Sequence, residues 1–357
     1  MLIDRGMLES QFRLFQKHLP DVHIYYAVKA NPHPEIIKTF AAMGASFDVA
    51  SANEIKHALR YGATPSRLIF ANTIKSPADI KEAKKLNVSM MTFDNEAELY
   101  KIAKNYRGAK VVLRIKVANV GSVVELSLKF GADPEDAIYL LRKAKILGLD
   151  PVGLSFHVGS QCIDSQNYLR ALEVSSAIFN EAEEKGIDLK ILDIGGGFPI
   201  KHFDNENVPP FEKIASQIRQ ELRRLFKTRL KQNKIKIIAE PGRFLAGPSG
   251  TLITSVVGRA FRNNKNYYYL DDGIYQDFSG IVFDHCKYEF KSMKKGQKFL
   301  CTLAGPTCDS FDTISVNEEM PELDVGNMIY VKNIGAYSMA SAVQGFNGFQ
   351  PAKVIFI

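Results

Sequence analysis

The sequence has 357 residues, 46% of them hydrophobic, so it is long enough for a barrel of ordinary size and a smaller second domain. Its net charge of +7 includes a cationic run from Arg223 to Lys234, but cations favour helix C-termini and solvated faces, so we expect no nucleic-acid partner. No stretch reaches the roughly 18 to 20 apolar residues of a membrane helix. The four cysteines form no Cys-x-x-Cys pair, which predicts a cytosolic protein with reduced thiols and no metal.

From about residue 24, short β-rich runs alternate with stretches of helical period, which is typical of strand-helix units around a parallel sheet. The predicted strands are 25–29, 46–51, 67–72, 88–94, 110–116, 152–157, 190–194 and 236–240. The predicted helices are 34–43, 53–61, 77–85, 96–106, 135–146, 166–185 and 211–226. Eight such repeats predict a TIM (β/α)8 barrel.

After Gly242 the pattern changes to strand-like runs with turn residues and almost no helical period. The predicted strands are 251–257, 267–270, 298–303, 328–331 and 354–357. A Gly/Pro-containing stretch at 247–250 is typical of a linker or turn. We therefore predict a barrel domain over 20–244 and an antiparallel β domain over 245–357. Residues 1–19 are expected to join the β domain.

In barrels of this type the working residues come from the carboxyl ends of the strands. Applied to the eight predicted strands, this rule selects Lys29, Asp48, Asn72, Arg114, His157, the glycines 195–197, and Glu240 followed by Arg243. Polar and ionisable groups are thus gathered at one predicted rim.

The glycine run 195–197 follows the seventh predicted strand, where such barrels commonly bind phosphate. Successive backbone N–H groups on a glycine turn point at an anion, and Arg243 would add charge. A glycine triplet alone is more often a plain turn, so its position after the seventh strand carries the interpretation.

Lys29 ends the first predicted strand with apolar residues on its strand side. A lysine kept neutral by burial is what Schiff-base chemistry requires, although a strand-end lysine often simply reaches solvent. A phosphate site and a lysine on the same rim together suggest pyridoxal phosphate (PLP). Glu240 would then pair with the pyridine nitrogen, and His157 would lie flat against the ring.

The sequence resembles the fold-type III PLP-dependent decarboxylases, which are alanine-racemase-like barrels, and within them the ornithine and lysine/ornithine decarboxylases. The matching segments, in family order, are Tyr-Ala-Val-Lys-Ala-Asn at 26–31, Phe-Asp-Val-Ala-Ser at 47–51, His-Val-Gly-Ser at 157–160, Asp-Ile-Gly-Gly-Gly at 193–197, Glu-Pro-Gly-Arg at 240–243, Gly-Pro-Thr-Cys-Asp-Ser at 305–310, Gly-Ala-Tyr at 335–337 and Phe-Asn-Gly-Phe at 346–349. They cover nearly the whole chain.

The resemblance implies that Lys29 carries the cofactor covalently, Glu240 binds the pyridine nitrogen and His157 stacks on the ring. The implied phosphate ligands are Ser160, Gly197, Arg243 and Tyr337, and Gly196 and Gly242 are implied to bind the cofactor as well. Asp48 and Glu54 match family positions near Lys29.

The resemblance also implies a homodimer with active sites shared between subunits. Cys308 and Asp309 resemble residues that the partner chain supplies: the cysteine governs protonation of the carbanion left by CO2 loss, and the aspartate receives the distal amine. Asp284 matches the second carboxylate for that amine, beside Phe283. Two acids facing one ammonium suit a diamino acid, because a desolvated cation must be paired. Lys129 and Asp312 match a family pair that bridges the dimer.

The predicted reaction is decarboxylation of L-ornithine to putrescine and CO2 in polyamine biosynthesis, with lysine to cadaverine as the alternative and arginine third. One methylene changes binding by only about 1 to 3 kcal/mol, so ornithine and lysine both remain candidates. Diaminopimelate decarboxylase is a rival, but its cysteine is typically followed by glutamate rather than by an aspartate such as Asp309. An amino-acid racemase has no role for the Cys-Asp motif.

A non-catalytic regulator, similar to an antizyme inhibitor, is the alternative from another class, although such proteins tend to lose cofactor residues that are present here. The sequence departs from the family pattern in three places. It starts late relative to family members, Phe283 stands where eukaryotic enzymes tend to have tyrosine, and Gln161 stands where they have glycine.

Overall fold

The computed structural model describes residues 1–117 and 129–357. Its contacts divide the chain into two compact units. The barrel unit contains Glu9–Pro199 and Val208–Gly242, and the β unit contains Met1–Leu8, Ile200–Asn207 and Arg243–Ile357. The assignment of these parts to functional domains stays a prediction.

Eight parallel strands close into a barrel, which confirms the predicted fold. The strands, numbered here in chain order, are Val22–Ala27, Ser46–Val49, Leu68–Phe70, Met90–Phe93, Lys110–Arg114, Asp150–Ser155, Ile191–Asp193 and Lys236–Ala239. The first strand pairs with both the second and the eighth, which closes the ring. The barrel interior includes a cluster of large apolar side chains, one from each of six strands: Tyr25, Ile69, Met90, Val112, Val152 and Ile238.

The helices described in the structure are Arg5–His18, Pro34–Ala42, Ala52–Arg60, Pro77–Lys85, Glu96–Asn105, Ala137–Ile146, Gln166–Glu184, Phe211–Lys231, Arg243–Ala246 and Gly280–Phe283. Side-chain caps fix several helix starts: Ser51 accepts from the Glu54 N–H at 3.2 Å, and Asn95 accepts from the Glu98 N–H at 2.9 Å.

The first helix was missed by our sequence analysis, although its signal is present. Leu8, Phe12 and Phe15 recur at helical spacing and are almost completely buried. The ring of Phe15 stacks on Phe211 at 5.4 Å between centroids, so this helix covers part of the barrel wall.

The β unit contains a sheet of eight strands that is mostly antiparallel. They are Leu2–Ile3, Gly250–Arg262, Lys265–Leu270, Lys291–Ser292, Lys298–Ala304, Thr313–Pro321, Met328–Lys332 and Ile355–Phe356. Two pairings are parallel, Lys265–Leu270 with Lys298–Ala304 and Leu2–Ile3 with Ile355–Phe356. The predicted β fold is confirmed, with these two parallel pairings in addition to the antiparallel ones. The strand Thr313–Pro321 was not predicted, because polar residues interrupt its apolar pattern.

None of the helices in the two described ranges is both long enough and apolar enough to cross a membrane.

Candidate active site

Lys29 lies at the carboxyl end of the first barrel strand, in a single 3-10 turn, Val28–Ala30, that follows Ala27. Its ammonium forms an ion pair with the Asp48 carboxylate, and the side chains are 44% and 2% exposed. The first strand ends at Ala27, two residues before the predicted end at Lys29, and the Lys29 side chain is partly open to solvent.

A pair of acids, Asp193 and Glu240, lies at the carboxyl ends of the seventh and eighth strands. Burial raises the pKa of Asp193 to about 7, partly opposed by its hydrogen bond with Glu240. Burial and the neighbouring charge of Asp193 raise the pKa of Glu240 well above its usual value. Because two carboxylates this close repel each other, the pair holds a proton between them near neutral pH.

His157 follows the sixth strand as a neutral ring. Its Nδ1 accepts a hydrogen bond from the Gly159 N–H at 3.0 Å, which leaves the imidazole proton on Nε2. Burial, together with the charges of Arg114 and Lys29, lowers the pKa of His157 well below its usual value. The ring therefore offers an uncharged aromatic face at the rim.

The glycine turn leaves no room for side chains. Gly195 and Gly197 have φ of 67° and 92°, which other residues rarely adopt. A Cβ at Gly196 would lie 2.7 Å from the Glu240 carbonyl oxygen and 3.2 Å from the His157 ring. The Tyr168 hydroxyl donates to the Gly196 carbonyl at 2.7 Å and fixes the turn. Backbone amides at this turn can therefore approach a ligand closely.

Other predicted residues of the barrel unit lie at the same rim or in its loops. Glu54 accepts from the Ala50 N–H at 2.6 Å, and burial raises the pKa of Glu54. Ser160 is half-buried in the loop after His157, and Gly242 is buried. Gln161 has φ of 52°, so it holds a left-handed conformation that glycine would adopt without strain.

Within the β unit the structure brings together Arg243, Tyr337 and Asp284. Arg243 is 5% exposed and forms an ion pair with Asp284. Its guanidinium carbon lies 4.7 Å from the centre of the Tyr337 ring. Phe283, next to Asp284, is 59% exposed. These residues form a corner around the buried Arg243 guanidinium, with an exposed aromatic side chain beside it.

Cys308 and Asp309 lie on a separate loop of the β unit. Cys308 is exposed, and its backbone N–H and its thiol contact the Asn347 Oδ1 at 3.2 and 3.3 Å. Asp309 accepts a hydrogen bond from the Tyr275 hydroxyl. Asp309 and Asp284 thus have different partners in the described structure, the Tyr275 hydroxyl and the Arg243 guanidinium.

The proposed dimer pair falls into contrasting environments. Lys129 is exposed, and its ammonium lies 5.0 Å from the Phe130 ring centre. Asp312 is 2% exposed and accepts from the Ile274 N–H at 2.9 Å and the Thr307 hydroxyl at 2.8 Å. These hydrogen bonds stabilise the loop that contains Asp312. The part of Asp312 in a dimer stays a prediction.

Three residues of the barrel unit matter more than sequence analysis recognised. Asp193 was quoted only within a glycine motif, Arg114 was placed at the rim without a role, and Tyr168 was not noticed. The strand-end rule selects Arg114, but it passes over Asp193 because the seventh strand was predicted to end at residue 194 and the strand ends at Asp193. Tyr168 sits inside a helix, and nothing in its sequence context indicates its contact with Gly196.

Comparison with known proteins identifies the class. A family model described as the pyridoxal binding domain of pyridoxal-dependent decarboxylases matches residues 5–247. The lysine/ornithine decarboxylase of Selenomonas ruminantium is 40% identical over 98% of this chain and 86% of its own length. Antizyme inhibitor 2 of Xenopus laevis is 38% identical over 98% of this chain and 79% of its own length. The crystal structure of lysine/ornithine decarboxylase from Vibrio vulnificus, complexed with cadaverine, gives a TM-score of 0.92 at 35% identity and covers 100% of this chain and 93% of that one.

The chain therefore belongs to the fold-type III PLP-dependent amino-acid decarboxylases, and the predicted resemblance is confirmed. The residues present fit PLP on their own chemistry. The buried acid pair Asp193 and Glu240 suits the pyridine ring, because a protonated pyridine nitrogen is a donor that a carboxylate of the pair would accept. The glycine turn and the buried Arg243 suit a phosphate.

Proposed function

We propose that this protein decarboxylates L-ornithine to putrescine and CO2, and accepts L-lysine as a second substrate. The observation that carries the proposal is the convergence at the barrel mouth of Lys29 with the proton-sharing pair Asp193 and Glu240. Burial raises the pKa of Glu240 and the nearby charge of Lys29 opposes that rise, so the two groups lie close enough to interact. An amine can hold PLP covalently, and an acid that holds a proton can pair with its ring nitrogen. Together they allow a reaction at the α-carbon of an amino acid.

Each rim residue has a defined task. Lys29 holds the cofactor covalently, and Asp48 orients its amine. Glu240 keeps a proton at the pyridine nitrogen, and the neutral His157 ring packs flat against the cofactor. When bound, PLP supplies an electron-withdrawing ring that takes up the electron pair released as the carboxylate leaves.

The phosphate ligands are proposed from backbone and side-chain donors. They are Ser160, Gly196, Gly197, Gly242, Arg243 and Tyr337. Support comes from the glycine turn, which leaves its amides accessible, and from the burial of Arg243. An arginine guanidinium in a low-dielectric setting binds a phosphate strongly.

Substrate choice is assigned to Asp309 and Asp284, with Phe283 against the aliphatic part of the substrate. Two acids pair the distal ammonium of a diamino acid, which loses its water on binding. The cadaverine complex of the Vibrio relative supports lysine as an alternative, because cadaverine is the product of lysine decarboxylation. Lysine is longer than ornithine by only one methylene.

The active site is proposed to be shared between two copies of the chain. Support comes from the loop that carries Cys308 and Asp309: Cys308 is exposed, and Phe311 nearby is 60% exposed. An exposed aromatic side chain beside an exposed thiol is the composition of a contact surface. From there Cys308 would deliver its thiol proton to the carbon that has lost CO2.

The decisive experiment is CO2 release by the purified protein with PLP from L-ornithine, L-lysine, L-arginine and meso-diaminopimelate. We expect ornithine to give the highest kcat/KM and lysine to follow. Turnover of diaminopimelate alone would contradict the assignment of Asp309 and Asp284. PLP binding without turnover of any of the four would contradict decarboxylation of a basic amino acid, and no PLP binding would favour a regulator such as the Xenopus relative.

A further inference from the structure

The β unit contains a buried cluster of His202, Glu206, Arg243 and Cys286, here called the thiol cluster. Cys286 Sγ lies 3.7 Å from His202 Nε2 and 3.4 Å from Arg243 Nη1. On the other side of the ring, His202 Nδ1 lies 3.6 Å from the Glu206 carboxylate, which also accepts the His202 backbone N–H at 2.5 Å. A thiol, an imidazole and a carboxylate are thus aligned in a row, with an arginine at the thiol.

The surroundings favour a charged thiol. Burial alone would raise the pKa of Cys286, but the hydrogen bond with His202 and the charge of Arg243 outweigh it and lower the pKa. Burial alone would lower the pKa of His202, but its hydrogen bonds with Cys286 and Glu206 raise it. Asp284 at 3.8 Å and Tyr288 are the other ionisable groups that face the sulfur. These contacts therefore favour transfer of the thiol proton to His202, as in activated cysteines.

Cys286 is 7% exposed yet lines a cavity of about 480 Å³. The cavity is also lined by Phe203, Ile281, Lys287, Glu289 and Ile314, of which Lys287 and Glu289 are exposed. A small reagent can therefore reach the sulfur. In the described ranges no group of three or more His, Cys, Asp or Glu side chains could hold a metal ion, so the cluster is not a metal site.

We propose that Cys286 is a site of oxidation by hydroperoxides, and that its oxidation weakens cofactor binding at Arg243. The first part stands on the thiol cluster and its cavity. The second part rests on the proposed role of Arg243 as a phosphate ligand.

The oxidation is balanced without further reagents. The Cys286 thiolate attacks the terminal oxygen of the hydroperoxide, an S–O bond forms and the O–O bond breaks. The departing alkoxide or hydroxide takes the proton from His202 Nε2 and leaves as an alcohol or water. The sulfur is oxidised by two electrons to a sulfenic acid, and the peroxide is reduced by two.

The consequence follows from the position of Arg243. The added oxygen is bonded to the Cys286 sulfur, which lies 3.4 Å from Arg243 Nη1. The sulfenic acid therefore ionises beside the guanidinium. A sulfenate oxygen accepts hydrogen bonds from that guanidinium and competes with a phosphate for them. The added oxygen also enlarges a side chain in a closely packed site.

The first test is treatment of the full-length protein with hydrogen peroxide and a sulfenic-acid trap at neutral pH, followed by mass spectrometry of the cysteine peptides. Cys301 is the internal control, because it is 1% exposed and burial raises its pKa to about 12. We expect Cys286 to be trapped at least about tenfold faster than Cys301. His202→Asn should slow Cys286 about tenfold without changing Cys301. Equal trapping of the two cysteines in the wild type would overturn the proposal.

The second test measures the PLP dissociation constant spectroscopically before and after peroxide treatment. Both proteins carry Cys308→Ala, so that the exposed thiol is not involved, and one also carries Cys286→Ser. We expect the dissociation constant to rise at least about tenfold only where Cys286 is present, and to recover after thiol treatment. An unchanged constant in a protein trapped at Cys286 would overturn the second part. If Arg243→Gln binds PLP as tightly as the wild type, Arg243 is not a phosphate ligand and the second part of the proposal is overturned. The trapping experiment tests the first part independently of that assignment.

Discussion

The barrel mouth and the thiol cluster both bury ionisable groups, but the pKa values shift in opposite directions. At the mouth, burial and neighbouring carboxylates raise the pKa values of Asp193 and Glu240. In the thiol cluster, burial is outweighed by the hydrogen bond with His202 and the charge of Arg243, which lower the pKa of Cys286. The partners of a buried group, and not burial alone, therefore set the direction of its pKa shift.

The largest expected effect comes from removing the amine of the mouth. Lys29→Ala should lower kcat by at least about a thousandfold, because it removes the amine proposed to hold the cofactor covalently. The measurement is CO2 release with PLP present, and the matched control is Lys38→Ala, an exposed lysine paired with Glu35. Activity close to that of the wild type in Lys29→Ala would refute the mechanism.

A pH experiment tests whether the mouth holds a proton. The folded-state pKa of Asp193 is about 7 against an ordinary 3.8, so the native state keeps a proton that the unfolded state releases between these values. The contribution of Asp193 to stability should therefore fall as pH rises from about 4 to about 7.

In the cofactor-free protein, we expect Asp193→Asn to reduce this fall in the free energy of unfolding by at least about 1 kcal/mol. Denaturant unfolding at several pH values measures it, and Asp188→Asn, at an aspartate whose side chain is 76% exposed, is the control. Parallel pH curves for wild type and Asp193→Asn would contradict proton sharing at the mouth.

Mixing inactive chains tests whether the mouth of one copy uses the Cys308 loop of another. Lys29→Ala and Cys308→Ala chains, combined in equal amounts, should recover about one quarter of wild-type activity. Random exchange makes about half of the dimers mixed, and each mixed dimer has one intact site. No recovery, in a sample where mass spectrometry shows mixed dimers, would count against a shared site.

The smallest expected effect concerns the orientation of Asp309. The Tyr275 hydroxyl donates to Asp309, which raises the pKa of Tyr275 to about 12 and keeps it a donor. Tyr275→Phe should raise the KM for ornithine about two- to tenfold with little change in kcat. Its ring still stacks on Phe346 at 4.3 Å, and Tyr267→Phe is the control. If the KM is unchanged, Asp309 does not depend on Tyr275 for its position.

Local patterns predicted the fold and much of the mouth. Alternating β-rich and helical runs gave all eight barrel strands, and the strand-end rule then selected Lys29, Asp48, His157 and Glu240. The helix Arg5–His18 was missed although Leu8, Phe12 and Phe15 carry its period. The end of the first strand was predicted at Lys29, whereas the strand ends at Ala27 and the lysine follows on a short turn.

The sequence by itself determined the barrel, the β sheet and the family, because periodicity and contiguous motifs are properties of neighbours along the chain. Only the tertiary structure decided which charges meet. His202 and Cys286 are 84 positions apart and touch only after folding, and Asp193 and Glu240 share a proton only because adjacent strands place them together. A pKa depends on burial and on neighbours in space, and neither can be read from positions along the chain.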